Sequence, residues 1–210
     1  MNRDRDAGCW ENEYSRRGRV WGGAVHNLPP FRPGLRVLEL GCGNGKTFSA
    51  ILEKNCEVVG VDFSSTAAIL CRSLIPETAR GDIALADVRY LPFADASFDV
   101  VIAFHVIGHL SGAGRVRCVG EAARVLKEGG TLYFSGFSGE DFRAGTGREI
   151  EPGTFERKNG IATHYFSEIE VQALLSPLSA LECSTRRWTM TVLGQPLPRA
   201  EITAAFEKTT

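Results

Sequence analysis

The stretch Arg36–Gly45, RVLELGCGNG, constrains the fold more than any other part of the chain. Val37 to Leu40 is apolar except for Glu39 and is followed at once by turn-forming residues, the pattern of a short buried strand. Gly41, Gly43 and Gly45 come next at alternate positions, and Thr47 to Leu52 then has helical apolar spacing. Strand, glycine turn and helix therefore follow one another. Glycine suits such a turn because it tolerates positive φ and lets another group approach the backbone closely. The helix presents free N–H groups and the positive end of its dipole to whatever lies there. The order predicts a nucleotide-type cofactor pocket at the carboxyl edge of a parallel sheet.

Two details bear on the ligand. A dinucleotide fingerprint needs G-x-G-x-x-G, but the spacing here is G-x-G-x-G, and Lys46 stands where the third dinucleotide glycine would fall. Glu39 lies inside an otherwise apolar strand, and a buried carboxylate needs a partner. A ligand carrying an ammonium group would supply one. The alternative is a generic α/β turn that binds nothing. With its acid two residues before the glycines, the stretch resembles motif I of the class I S-adenosylmethionine (SAM)-dependent methyltransferases.

Further acids fall at strand ends. Glu57–Asp62, EVVGVD, reads as a second buried strand tipped by Asp62. A carboxylate there is placed to accept both hydroxyls of a ribose; the other reading is an N-cap, although Ser64-Ser65 already has the form of a helix start. Asp82–Ala86 reads as a third strand followed by Asp87-Val88, and Phe98–Phe104 as a fourth. Asp87 is placed to accept an adenine amino group, and Val88 to donate its N–H to a ring nitrogen and pack on the ring. The run ADVRYLPFADASFDVVIAFHVIGHL resembles the matching region of the ubiquinone- and menaquinone-biosynthesis type of methyltransferase. The resemblance extends over about Arg36 to Phe134. It implies an α/β, Rossmann-like three-layer sandwich whose seven-stranded sheet has order 3-2-1-4-5-7-6 with the last strand antiparallel. It also implies SAM as methyl donor and S-adenosylhomocysteine as product, with Gly41, Cys42, Gly43, Phe63 and Phe104 joining Glu39, Asp62, Asp87 and Val88 around the cofactor.

His105 and His109 follow the fourth strand, at the expected mouth of the site. Methyl transfer from a sulfonium is an in-line displacement with an activated leaving group, so alignment and desolvation matter most. A base is needed only when the nucleophile is protonated, and histidine serves well. A structural role for either histidine is the competing reading. The chain has no N-P-P-[FY] or D-P-P-[FY] after the fourth strand, no Pro-Cys pair, no carboxylate in that loop for a metal, and no C-x-x-x-C-x-x-C. These gaps count against base-amino, cytosine-C5, metal-dependent catechol and radical chemistry, and no metal is expected.

The remaining segments frame the pocket. Cys9–Val20 carries Trp10, Tyr14 and Arg17 at helical spacing, and the proline-rich Ala24–Gly34 joins it to the core. It reads either as an amphipathic helix capping the sheet or as a lid, with Trp10, Tyr14 or Trp21 lining the pocket. Arg115–Leu126 predicts a helix closed by Gly129-Gly130, and Thr131–Ser135 a fifth strand. Gly136–Thr163 lacks a clear period; a loop of that length is usually functional, so it reads as a substrate cap or as a solvated surface loop. A helix over Glu168–Leu175 and two strands, Leu181–Val192 and Arg199–Phe206 with a Gly194–Pro198 turn, complete the chain. A terminal antiparallel hairpin separates the methyltransferase sheet from a nicotinamide-binding one.

Composition sets outer limits. With 210 residues, 43% hydrophobic and net charge −1, the sequence fits one domain, residues 1–210, and offers no global field for nucleic acid or anionic membrane. Residues 1–34 form an N-terminal cap segment and 136–163 a cap loop in this reading. The charged start MNRDRDAG is no signal peptide, no run is long enough to span a bilayer, and the six cysteines are scattered, so a cytoplasmic setting is expected. The expected activity is methyl transfer to a small-molecule acceptor beneath a cap, with no nucleic-acid or membrane partner. The rivals are an RNA or protein methyltransferase, a catalytically silent SAM-binding regulator, and an NAD-dependent oxidoreductase. Acceptor atom and oligomeric state stay open.

Overall fold

The computed structural model describes residues 3–20, 22, 23, 25 and 28–209. Its centre is built from three strands whose residues are almost all buried: β1 (Arg36–Leu40), β2 (Glu57–Asp62) and β4 (Phe98–Phe104). Strands covered on both faces must be apolar throughout, and such sheets are parallel because each crossover carries a covering layer. β2 pairs β1 and β3 (Gly81–Leu85), and β1 pairs β4, all in parallel. The crossovers carry α2 (Lys46–Leu52) and α3 (Ser65–Arg72); α4 (Gly112–Val125) leads into β5 (Leu126–Phe137). The last two strands, β9 (Ser179–Val192) and β10 (Gln195–Glu207), form the antiparallel hairpin. The seven-stranded order β3-β2-β1-β4-β5-β10-β9 matches the expected 3-2-1-4-5-7-6, with β10 antiparallel to β5.

Alternate residues of the central strands feed opposite apolar layers. Leu38, Val59 and Val101 pack in one with Phe98, Leu132 and Phe206, while Val37, Val58 and Ile102 pack in the other with Phe48 and Ile51. The chain leaves β1 toward β2 and β3, then returns to place β4 and β5 on the other side. A crevice therefore opens at the carboxyl ends of β1 and β4, where strand order reverses.

Three local expectations are corrected. The N-terminal helix α1 spans Arg3–Arg17, so it begins before Cys9 and stops short of Val20. Gly129-Gly130 does not close α4, which ends at Val125; both glycines lie within β5, in an irregularity of its pairing with β4. There Gly129 has φ +72 and pairs through its N–H with the Lys208 carbonyl at 2.8 Å, so the sheet rather than the helix uses its conformational freedom. Gly136–Thr163 is not an irregular loop. It contains β6 (Arg148–Glu151), β7 (Thr154–Glu156) and β8 (Ala162–His164), which with its last residue just outside the expected segment form a second, antiparallel sheet. Strands of three and four residues are too short to show an alternation of period two.

This small sheet is anchored by buried polar bonds. His164 makes 2.7 Å hydrogen bonds with Thr154 Oγ1 through Nδ1 and with Glu170 Oε1 of α5 (Glu168–Leu174) through Nε2. The β9–β10 turn is also tighter than expected, since β10 begins at Gln195. Pro196 and Pro198 are tolerated there because the ladder with β5 starts only at Glu201, leaving that edge of β10 without an N–H requirement.

Candidate active site

Gly41 leaves β1 with φ +68, and a Cβ added to it would lie 2.7 Å from Val106 Cγ2. Its N–H and that of Cys42 donate to the Val61 carbonyl, at 2.7 and 3.0 Å. The turn is thus fastened to β2 while it presses on the segment after β4. Gly41→Ala meets both a left-handed backbone, costing about 1–2 kcal/mol, and the Val106 side chain. The expected result is a lower unfolding temperature together with loss of cofactor affinity, read by thermal unfolding with and without S-adenosylhomocysteine.

The acids converge on the crevice. Asp62 is buried, accepts the Gly43 N–H at 2.9 Å on Oδ2 and the Ser64 N–H at 2.9 Å on Oδ1. Burial raises its carboxyl above the ordinary range, against the lowering effect of these N–H bonds. The N-cap reading of Asp62 is excluded: Ser64 Oγ caps α3 by accepting the Ala67 N–H at 3.1 Å. Glu39 is buried with Oε2 unpaired among the described residues, and burial, then the neighbouring Cys71 and Asp62, push its carboxyl well up. Asp87 is held by the Arg89 fork, Nε to Oδ1 at 2.9 Å and Nη2 to Oδ2 at 2.7 Å.

Glu39, Gly41, Cys42, Asp62, Phe63 and Asp87 line one cavity of about 1070 Å³, together with Val88, Phe104 and Tyr14. Gly43 does not line the cavity; its N–H is bonded to Asp62, which does. Trp21 lies outside the described residues. The cavity walls also include Trp10 and Glu13 of α1 and Arg143, Arg157 and Ile161 of the segment between β5 and β8.

Both histidines reach the cavity. His109 Nδ1 lies 2.7 Å from the Ala162 carbonyl, and its ring meets Trp10 edge-on with centroids 4.9 Å apart. A carbonyl only accepts, so Nδ1 carries the proton and Nε2 keeps its lone pair. Burial lowers the His109 pKa to about 4, against the bond to Ala162, so the ring is neutral near pH 7. His105 adopts φ +56, packs 4.5 Å from Phe137, and turns Nε2 toward Glu201 Oε2 at 3.4 Å and Ser135 Oγ at 3.4 Å.

Glu201, Ser135, Tyr133, Arg143 and Arg199 also line the cavity, and sequence reasoning missed them. Glu201 carries the same signal as Glu39, a single acid in an apolar run, between Ala200 and Ile202. Ser135 lies on the fifth strand just as Phe104 ends the fourth.

Residues 38–134 match the family model described as a methyltransferase domain. A probable SAM-dependent methyltransferase of Mycobacterium tuberculosis is 37% identical over 142 residues, covering 68% of this chain and 49% of that protein. Residues 38–134 belong to the SAM-dependent methyltransferase family. A probable tRNA methyltransferase 9B of Bos taurus is 33% identical over 120 residues, 55% of this chain and 24% of its own length. The chain thus spans about half or less of the length of these curated relatives. A SAM-dependent methyltransferase structure from Methanosarcina mazei superposes with a TM-score of 0.73 at 22% identity, covering 88% of this chain and 100% of that one, which shows the shared fold.

The methyltransferase pocket fits SAM on its own chemistry. A buried carboxylate without a partner calls for a cation, and the cofactor carries an ammonium; the carboxylate at the tip of β2 still has lone pairs for hydroxyls after accepting two N–H groups. Among the described residues there is no cluster suited to a metal ion, and no helix is long and apolar enough to cross a membrane.

Proposed function

We propose that this protein transfers a methyl group from SAM to a small-molecule acceptor held inside the cavity. The observation that carries the reading is that α1 and the small sheet meet over the cofactor acids. Glu11 of α1 accepts hydrogen bonds from Ser64 Oγ, at 2.7 Å, and from Thr66 Oγ1 at the start of α3. Trp10 packs on His109, whose Nδ1–H is bonded to Ala162 of β8. A Cβ on Gly160 would lie 2.7 Å from Cys9 Sγ, so α1 also touches the turn before β8. A cavity partly roofed in this way favours a metabolite over a folded macromolecule. The tRNA-methyltransferase relative favours an RNA acceptor instead, and that is the second reading. A cytoplasmic location belongs to the proposal, supported by six free thiols.

Bound SAM supplies a methyl group already activated on a sulfonium. In the proposed arrangement Glu39 pairs with the ammonium group and Asp62 accepts the ribose hydroxyls. Asp87 and Val88 face the adenine, while Trp10, Tyr14 and Phe104 exclude water around the reacting centre. Neutral His109 offers Nε2 to a protonated nucleophile. With a pKa near 4 it is a weak base, suited to an acceptor that becomes acidic as the methyl group arrives.

Hydrogen exchange tests the roof. Adding S-adenosylhomocysteine should slow exchange in Arg3–Arg17 and in residues 136–163 as well as around Gly41 and Asp62. Protection confined to the glycine turn would show that the two segments do not close over the cofactor, and the small-molecule reading would lose its basis.

A further inference from the structure

Away from the cofactor acids the cavity changes sign. Arg143, Arg157, Arg186 and Arg199 line that end, against Glu182 and Glu201. Two of these arginines share one carboxylate set behind the wall. Asp141, its side chain fully buried, accepts Arg143 Nε on Oδ1 at 2.7 Å and Arg199 Nε on Oδ2 at 2.7 Å. Burial works to raise the Asp141 carboxyl, but the bonds from Arg143 and Arg199 outweigh it and hold it down to about 2. Both guanidiniums also lie over Phe137, 4.0 and 5.6 Å from its centroid, and Phe137 in turn packs against His105.

One anion therefore fixes two cations, and the trio keeps a surplus positive charge. A guanidinium carries five N–H donors in a rigid plane. Arg143 gives Nε and one Nη2 hydrogen to Asp141; Arg199 gives Nε to Asp141 and turns Nη1 to the Met190 sulfur at 3.5 Å. Their other donors have no acceptor among the described residues, although both side chains are largely buried, 21% and 12% exposed. Two preorganised forks with spare donors on a cavity wall match the oxygens of a carboxylate or phosphate.

We propose that the methyl acceptor carries an oxyanion, a carboxylate or phosphate group, seated on Arg143 and Arg199. The acceptor then spans the cavity with its anion at this wall and its nucleophile toward His105, His109 and the cofactor. This inference rests on the small-molecule reading above.

Two measurements test it. In the first, protein saturated with S-adenosylhomocysteine is titrated by calorimetry with benzoate, phenyl phosphate and benzamide, while NMR follows the Arg143 and Arg199 Nε–H resonances. The anions should bind and shift both resonances, benzamide should bind at least tenfold more weakly, and the tighter anion identifies the group. Arg143→Lys and Arg199→Lys, checked for folding by thermal unfolding, should each lose about tenfold for the anions. Equal binding of benzamide to the wild-type protein, or unchanged anion affinity in both folded lysine variants, would overturn the proposal. In the second, SAM labelled with tritium on the methyl group is incubated with the protein and a cell extract. Label in small products retained by an anion exchanger supports the subsite. Label in small products that pass through overturns it and leaves the small-molecule reading standing. Label in RNA or protein overturns that reading itself.

Discussion

Asp62→Ala should weaken S-adenosylhomocysteine binding by more than about a hundredfold. Two hydrogen bonds to an ionised acceptor contribute about 1.5–3 kcal/mol each, and about 3 kcal/mol is a little over a hundredfold in affinity. The same carboxylate also holds the Gly43 and Ser64 N–H groups, so the glycine turn loses a fastening to β2. Asp87→Ala should cost less, because only one cofactor contact is assigned to it and Arg89 already engages both its oxygens. Calorimetry on folded variants decides the matter. An unchanged dissociation constant in Asp62→Ala would remove the ribose assignment.

Acid should destabilise the protein through His109. Its folded pKa is lowered to about 4 from an ordinary 6.5, so the unfolded chain binds the proton more readily between those values. The stabilisation is complete above pH 6.5 and is lost as pH falls toward 4, by up to about 3 kcal/mol at 1.36 kcal/mol per pH unit. The cause is burial in the cavity wall, where the ring packs against Trp10; the Nδ1–H bond to Ala162 works in the opposite direction and is outweighed. His109→Gln cannot gain this proton. The stability difference between wild type and variant, from denaturant unfolding, should therefore shift in the variant's favour between pH 7 and pH 4. A constant difference across that range would show that His109 is not held neutral by its surroundings.

The acid-lined half of the candidate site was legible in the sequence because local rules specify it. Gly41 stands where a side chain would strike Val106, and Glu39 and Asp62 are acids in strands whose other residues are apolar. Strand tips place such residues at one edge of a parallel sheet whatever the rest of the chain does. The whole sheet order followed from the same elements and the family resemblance, and the structure shows it. Glu201 bears the same mark as Glu39, an acid in an apolar run, on a strand whose sequence predicts only its place in the hairpin.

The proposed acceptor wall became visible only through tertiary structure. Asp141 and Arg143 are near neighbours in sequence, but Arg199 joins them from 58 positions away, across the β10 edge. The small sheet of β6 to β8 is likewise invisible to periodicity, since its strands are too short, and its place depends on His164 reaching Thr154 and Glu170. The sequence by itself determined the strand–turn–helix frame and the acids at its edge, because backbone conformation and burial act on each residue locally. Tertiary structure alone decided which side chains face those acids across the cavity, because those contacts join segments that no local preference links.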